Sequence, residues 1–89
     1  MSYLVTTMVK RSCAFVITMD RPVDTMQKIL DFLQHRKMRL EILQLHATDG
    51  GEAKLILHCL IEKDRIKHVK QGLGKLSGIL ELTLLEQRG

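Results

Sequence analysis

The sequence predicts an α+β sandwich, a four-stranded antiparallel sheet with two helices on one face. Two stretches carry apolar residues at helical spacing, four favour strands, and Asp49-Gly50-Gly51 marks a tight turn between two of those strands. The resulting order is strand, helix, strand, strand, helix, strand (βαββαβ). Each helix must bury its stripe, and short right-handed crossovers bring both to the same side of the sheet. That is the ferredoxin-like arrangement.

The first strand is Cys13-Ala-Phe-Val-Ile-Thr-Met19, rich in β-branched and aromatic types, stopping at Asp20-Arg21-Pro22. Residues 3–9 also favour a strand, either an extension of the first or a separate piece, so 1–10 is an addition to a core of 13–86. The first helix begins beside Pro22, where a missing N–H does no harm, with Asp24 as its expected cap. Met26, Ile29, Leu30 and Leu33 form its stripe, and it fades near Lys37. From Arg39 to Ala47 the apolar residues alternate, but adjacent Ile42 and Leu43 shift the phase. A bulge or a strand buried on both faces follows from that. After the glycine turn, Ala53, Leu55, Leu57, Cys59 and Ile61 share one face. Lys63-Asp64 opens a second helix with Ile66, Val69, Leu73 and Leu76 as its stripe. Gly72 and Gly74 weaken its last turn, and Gly78 is expected to end it. Ile79–Leu85 alternates as the closing strand.

Eighty-nine residues have room for one domain, 1–89. The chain is 45% hydrophobic, but only Tyr3, Phe15 and Phe32 are aromatic, so the core is built from Leu, Ile, Val and Met. Fourteen Lys and Arg against ten Asp and Glu give a charge of +4 with the signs interspersed, which does not argue for a nucleic-acid partner. No apolar run approaches the roughly 18 residues of a membrane span. Lys10 and Arg11 interrupt the amino-terminal apolar residues, unlike a signal peptide. Cys13 and Cys59 both sit inside apolar strand-like runs and read as buried thiols of a reducing compartment, so a cytoplasmic location is expected.

Each chemistry that this topology hosts has residue requirements. An RNA-binding sheet stacks bases on exposed aromatics of its central strands; here Leu55, Ile56, Leu57 and His58 stand on the third strand. A metal carrier needs a Cys-x-x-Cys loop after the first strand, and Asp20-Arg21-Pro22-Val23 has no thiol. His35, His46, His58 and His68 are scattered over helix, strand, strand and helix. An acyl-phosphate enzyme needs an arginine loop and a water-positioning amide. Arg21 is available, but the chain has no asparagine, and Gln27 and Gln34 lie within a helix. No nucleophile–histidine–acid signature is present. The expectation is a non-enzyme without metal or cofactor.

Polar residues converge at the first strand–helix turn, Asp20, Arg21, Pro22, Val23 and Asp24. Helix-start N–H groups attract a carboxylate, and a nearby acid takes an ammonium, so an amino acid fits this turn. A capped turn with an Arg–Asp pair fits it as well. The cluster His35-Arg36-Lys37 with Arg39 reads either as a solvated helix end or as an electropositive contact for an acidic partner.

Several of these stretches together resemble an ACT domain: Asp20-Arg21-Pro22, a helix ending His35-Arg36, a strand with Leu40-Glu41, and Gly74-Lys75-Leu76 before the last strand. The stretch from Pro22 to Arg36 and the segment Leu73-Gly-Lys-Leu-Ser-Gly-Ile-Leu-Glu-Leu are similar to the short, single-domain form of the acetolactate synthase small regulatory subunit. The resemblance covers roughly residues 13–86 and implies a non-catalytic βαββαβ module. Such a module forms a homodimer through ACT–ACT contact and modulates a large thiamine-diphosphate-dependent subunit of branched-chain amino-acid synthesis. Family effectors bind between two ACT domains at the first loop. Here Val23 stands where the family has glycine, and Lys37 and Arg39 stand where it has glycine and asparagine. Asparagine supplies a paired donor and acceptor that arginine lacks. The resemblance therefore implies an effector site at Asp20–Asp24 with Lys37 and Arg39, and weak or absent valine sensitivity. The rival expectation is a stand-alone amino-acid sensor.

Overall fold

The computed structural model describes residues 10–36 and 38–88. The elements are β1 (Lys10–Asp20), α1 (Pro22–His35), β2 (Arg39–Ala47), β3 (Glu52–Glu62), α2 (Ile66–Gly74) and β4 (Ile79–Arg88), with short 3₁₀ turns at Asp49–Gly51 and Lys63–Arg65. The four strands form one antiparallel sheet in the order β2-β3-β1-β4. The expected ferredoxin-like βαββαβ sandwich is the observed fold. The strand assignment of residues 3–9 falls outside the described residues.

β1 and β3 pair along their full length, Lys10 with Glu62 through Asp20 with Glu52. Period-two alternation then turns Cys13, Phe15, Ile17 and Met19 to the same side as Ala53, Leu55, Leu57, Cys59 and Ile61. All nine are essentially inaccessible and join one cluster with Ile29, Phe32 and Leu33 of α1 and Ile66, Val69 and Leu73 of α2. Each fully buried Leu, Ile or Phe contributes about 1.5–3 kcal/mol. The other sheet face carries Ala14, Val16, Ile56, His58 and Leu60, and neither α1 nor α2 packs on it.

Several expectations are corrected. Pro22 takes the first helical position as anticipated, but Asp24 is no cap; it lies inside the first turn, 3.9 Å from Lys28 Nζ, and the capping position is Arg21. Leu30 leaves the stripe and is exposed, because the face meeting the sheet and α2 is Thr25, Ile29, Phe32 and Leu33. α2 ends at Gly74 rather than at Gly78, and Leu76 packs against the core from the turn beyond it. In β2 the phase shift is a bulge between Leu40 and Ile42, leaving Glu41 unpaired. The strand is an edge, so Leu40, Ile42 and Leu45 are 43–46% exposed rather than buried on both faces. β4 runs to Arg88 and contains two register shifts against β1.

Gly72 has a role its helix propensity conceals. A Cβ there would fall 2.5 Å from Phe32 Cε2. The missing side chain is the space into which the α1 phenyl ring packs.

Cys13 and Cys59 are direct cross-strand partners, both buried and both free thiols. Burial pushes the Cys59 thiol up to about 12, helped by nearby Cys13 and Glu41. Burial also raises Cys13, against the opposing charge of Arg11. Neither is a ready nucleophile at neutral pH.

Candidate functional site

One residue, Arg21, makes the turn from β1 into α1. Its φ of 45° and ψ of 65° are left-handed, a region that costs a side-chain-bearing residue about 1–2 kcal/mol. Hydrogen bonds from both sides hold it. Asp20 N donates to Gly78 O at 2.9 Å, Thr25 N donates to Arg21 O at 3.0 Å, and Thr25 Oγ1 donates to Asp20 O at 2.7 Å. Thr25 is the one buried polar residue among those described, and its hydroxyl is satisfied by the loop it supports. Gly78, at φ 97°, completes the lock; any Cβ there would overlap Thr25 Oγ1.

Within this loop Arg21 Nε lies 3.7 Å from Asp20 Oδ1, an ion pair too long for a hydrogen bond. That carboxylate oxygen is buried and has no hydrogen-bond partner among the described residues. Pro22 removes one N–H from the helix start, while Val23 projects into solvent, 79% exposed. No side chain among the described residues caps α1, so its remaining first-turn donors are left without an intrahelical partner. A buried carboxylate oxygen without a hydrogen-bond partner and the uncapped start of α1 thus belong to the same short loop.

The structure brings Asp20, Arg21, Pro22, Val23 and Asp24 together. It does not bring Arg39 to them within one chain. Asp20 aligns with Glu52 and Arg39 with Leu60, eight residues farther along β3, about 26 Å at the rise of a strand. Lys37 lies outside the described residues. Thr25 and Gly78 were not legible as loop partners. Thr25 interrupts no pattern, and Gly78 carries the same signal as a helix terminator.

Among the described residues, no three His, Cys, Asp or Glu side chains gather to hold a metal ion, and no helix is long and apolar enough to cross a membrane. His58 and Cys59 face opposite sides of the sheet, as their adjacency in a regular strand requires.

No family model and no curated protein sequence matches the chain. Solved structures do. The ACT domain from GTP pyrophosphokinase of Chlorobium tepidum superposes with a TM-score of 0.74 at 15% identity, covering 86% of this chain and all of that one. The C-terminal domain of the MgtC protein from Mycobacterium tuberculosis gives 0.66 at 9% identity, with coverages of 84% and 85%. A homoserine dehydrogenase from Thiobacillus denitrificans gives 0.70 at 10% identity, where 89% of this chain matches 18% of that enzyme. At these identities the likeness is one of fold, the ferredoxin-like βαββαβ sandwich that this chain shares with an ACT domain.

Proposed function

We propose that the chain is a non-catalytic regulatory ACT module, a small subunit that pairs with a second copy and modulates an acetolactate synthase large subunit. The observation that carries the pairing is the β2 edge, where Leu40, Ile42 and Leu45 are 43–46% exposed beside a row of unpaired backbone groups. A two-fold axis near Leu43 would set two β2 strands antiparallel, and Arg39 of one copy beside Ala47 of the other. Ala47, Ala53 and Met19 form one row across the sheet, so the incoming Arg39 would stand three strand spacings, about 14 Å, from the Asp20–Asp24 loop. The two parts of the effector site, distant within one chain, then approach each other in the dimer. The acetolactate synthase assignment rests on the resemblance of residues 22–36 and 73–82.

Co-purification from cell extract followed by an acetolactate assay, with and without the small chain, tests this reading. Recovery of the thiamine-diphosphate-dependent subunit with a changed rate supports it; a chain that neither binds that subunit nor alters its rate overturns it.

A second reading, a stand-alone amino-acid sensor regulating another enzyme, is favoured by Asp20 Oδ1, which has no hydrogen-bond partner among the described residues, in the loop that leads into the uncapped start of α1. Thermal shift against the twenty amino acids separates the two. A rise of several degrees with one amino acid, and no large-subunit capture, selects the sensor.

A further inference from the structure

The end of the sheet opposite the Asp20–Asp24 loop holds a small cavity of about 30 Å³, lined by Lys10, Arg36, Met38, Ile61, Glu62 and Arg65, with Leu60 beside them. Three cations and one carboxylate surround it, so it carries a surplus of two positive charges. Both guanidinium groups are positioned by the fold. Arg36 follows the last turn of α1 and lies 3.9 Å above the Phe32 ring, and Arg65 Nη1 stands 3.8 Å from Glu62 Oε1 just ahead of α2. The Glu62 carboxylate is therefore engaged, while Lys10 and Arg36 have no acidic partner among the described residues.

Two further features lie at the same end. Arg11 is the cross-strand partner of Ile61, which lines the cavity, and its buried Nε has no hydrogen-bond acceptor among the described residues. The capping position of α2 is occupied by Arg65, with no side-chain cap among the described residues and no acid in the first turn, so the positive end of that helix dipole is uncapped. Met38, Leu60 and Ile61 contribute an apolar wall, which strengthens the field of the surrounding charges.

We propose that this cavity binds a phosphate group or a similar doubly charged oxyanion, held by Lys10, Arg36 and Arg65. The space admits about two water-sized groups and opens to solvent, so it seats terminal oxygens and leaves the remainder of a larger molecule outside. Guanidinium forks from two directions match an oxyanion's geometry. The site is independent of the amino-acid loop and of the acetolactate synthase reading.

The test is a nitrogen-15 NMR titration of the full chain with inorganic phosphate, ionic strength being held constant with sodium chloride. Saturable shifts of the Met38, Ile61 and Glu62 amides, and affinity at least tenfold weaker in Arg36→Gln/Arg65→Gln, support the site. Phenyl phosphate shifting the same amides marks a monoester as the ligand; free phosphate alone doing so marks the ion. Shifts that follow chloride equally, that stay linear, that fall only on Asp20–Asp24, or that persist unchanged in the double variant overturn it. If loss of the Phe32 contact unfolds that variant, Lys10→Gln/Arg65→Gln reads the same tenfold loss.

Discussion

Gly78 and Thr25 lock together. The glycine carbonyl accepts the Asp20 N–H at 2.9 Å, and its absent Cβ leaves room for the threonine hydroxyl, which donates to Asp20 O at 2.7 Å. The turn before β4 thereby fixes the turn after β1, and both ends of the candidate effector loop are set by residues outside it. Gly78→Ala places a side chain at φ 97° and against Thr25. A loss of about 1–3 kcal/mol is expected in urea denaturation, with amide shifts reaching Asp20 and Arg21. A change confined to residues 76–80 would show that the lock is not transmitted.

Arg21 gives the complementary test. Its left-handed backbone means that Arg21→Gly relieves strain and should stabilise the fold by about 0.5–1 kcal/mol, whereas Arg21→Val should destabilise it. Denaturation midpoints of the two variants read the sign directly; midpoints moving the same way would contradict the assignment.

At Gly72 two effects oppose each other. Alanine raises helix propensity by about 1 kcal/mol, yet its Cβ would meet the Phe32 ring at 2.5 Å. Overpacking of a filled core costs about 1–3 kcal/mol, so Gly72→Ala should be net destabilising. Phe32→Leu in the same chain should recover part of the loss. A double-mutant cycle measures that coupling, and strict additivity would show the contact to be unimportant.

The buried thiols set an alkaline limit. In the unfolded chain a thiol titrates near 8.5, whereas burial pushes Cys59 up to about 12 and also raises Cys13. The unfolded state therefore loses its protons first. Their contribution to stability is full below about pH 8.5 and falls as pH rises toward 12, by at most about 1.4 kcal/mol per pH unit for each thiol. Cys59→Ala should flatten that slope. An unchanged slope between pH 9 and 11 would assign it to other groups.

The proposed pairing through the β2 edge would make Leu45, half-exposed in the single chain, a contact between copies. Leu45→Glu should bring the mass in sedimentation to that of one chain while leaving the circular dichroism unchanged. A dimer surviving that substitution would place the interface elsewhere.

The architecture was legible because its signals repeat: alternation over β3 and β1, and Ile66, Val69 and Leu73 at helical spacing. The departures arise where one residue answers to a distant partner. Leu30 fits the periodicity of α1 but loses its place because α1 meets α2 through Phe32, a contact made possible by Gly72 some forty positions away. Gly78 carries the local signal of a helix stop, and only the sheet shows that Thr25 needs its empty space. The loop was legible by composition, since Asp20, Arg21 and Asp24 cluster along the chain. That Arg39 stands at the far end of the sheet follows from register, which composition does not encode.

The unpaired Glu41 has a consequence for assembly. It breaks regular spacing near the beginning of β2, so on each copy only residues 42–47 present an even row of donors and acceptors, and pairing about Leu43 sets the kink at Glu41 of one copy against Leu45 of its mate. That stretch is about 20 Å long. The molecule thus offers a short landing strip rather than an open seam, a length suited to one finite mate and poorly suited to endless stacking of copies.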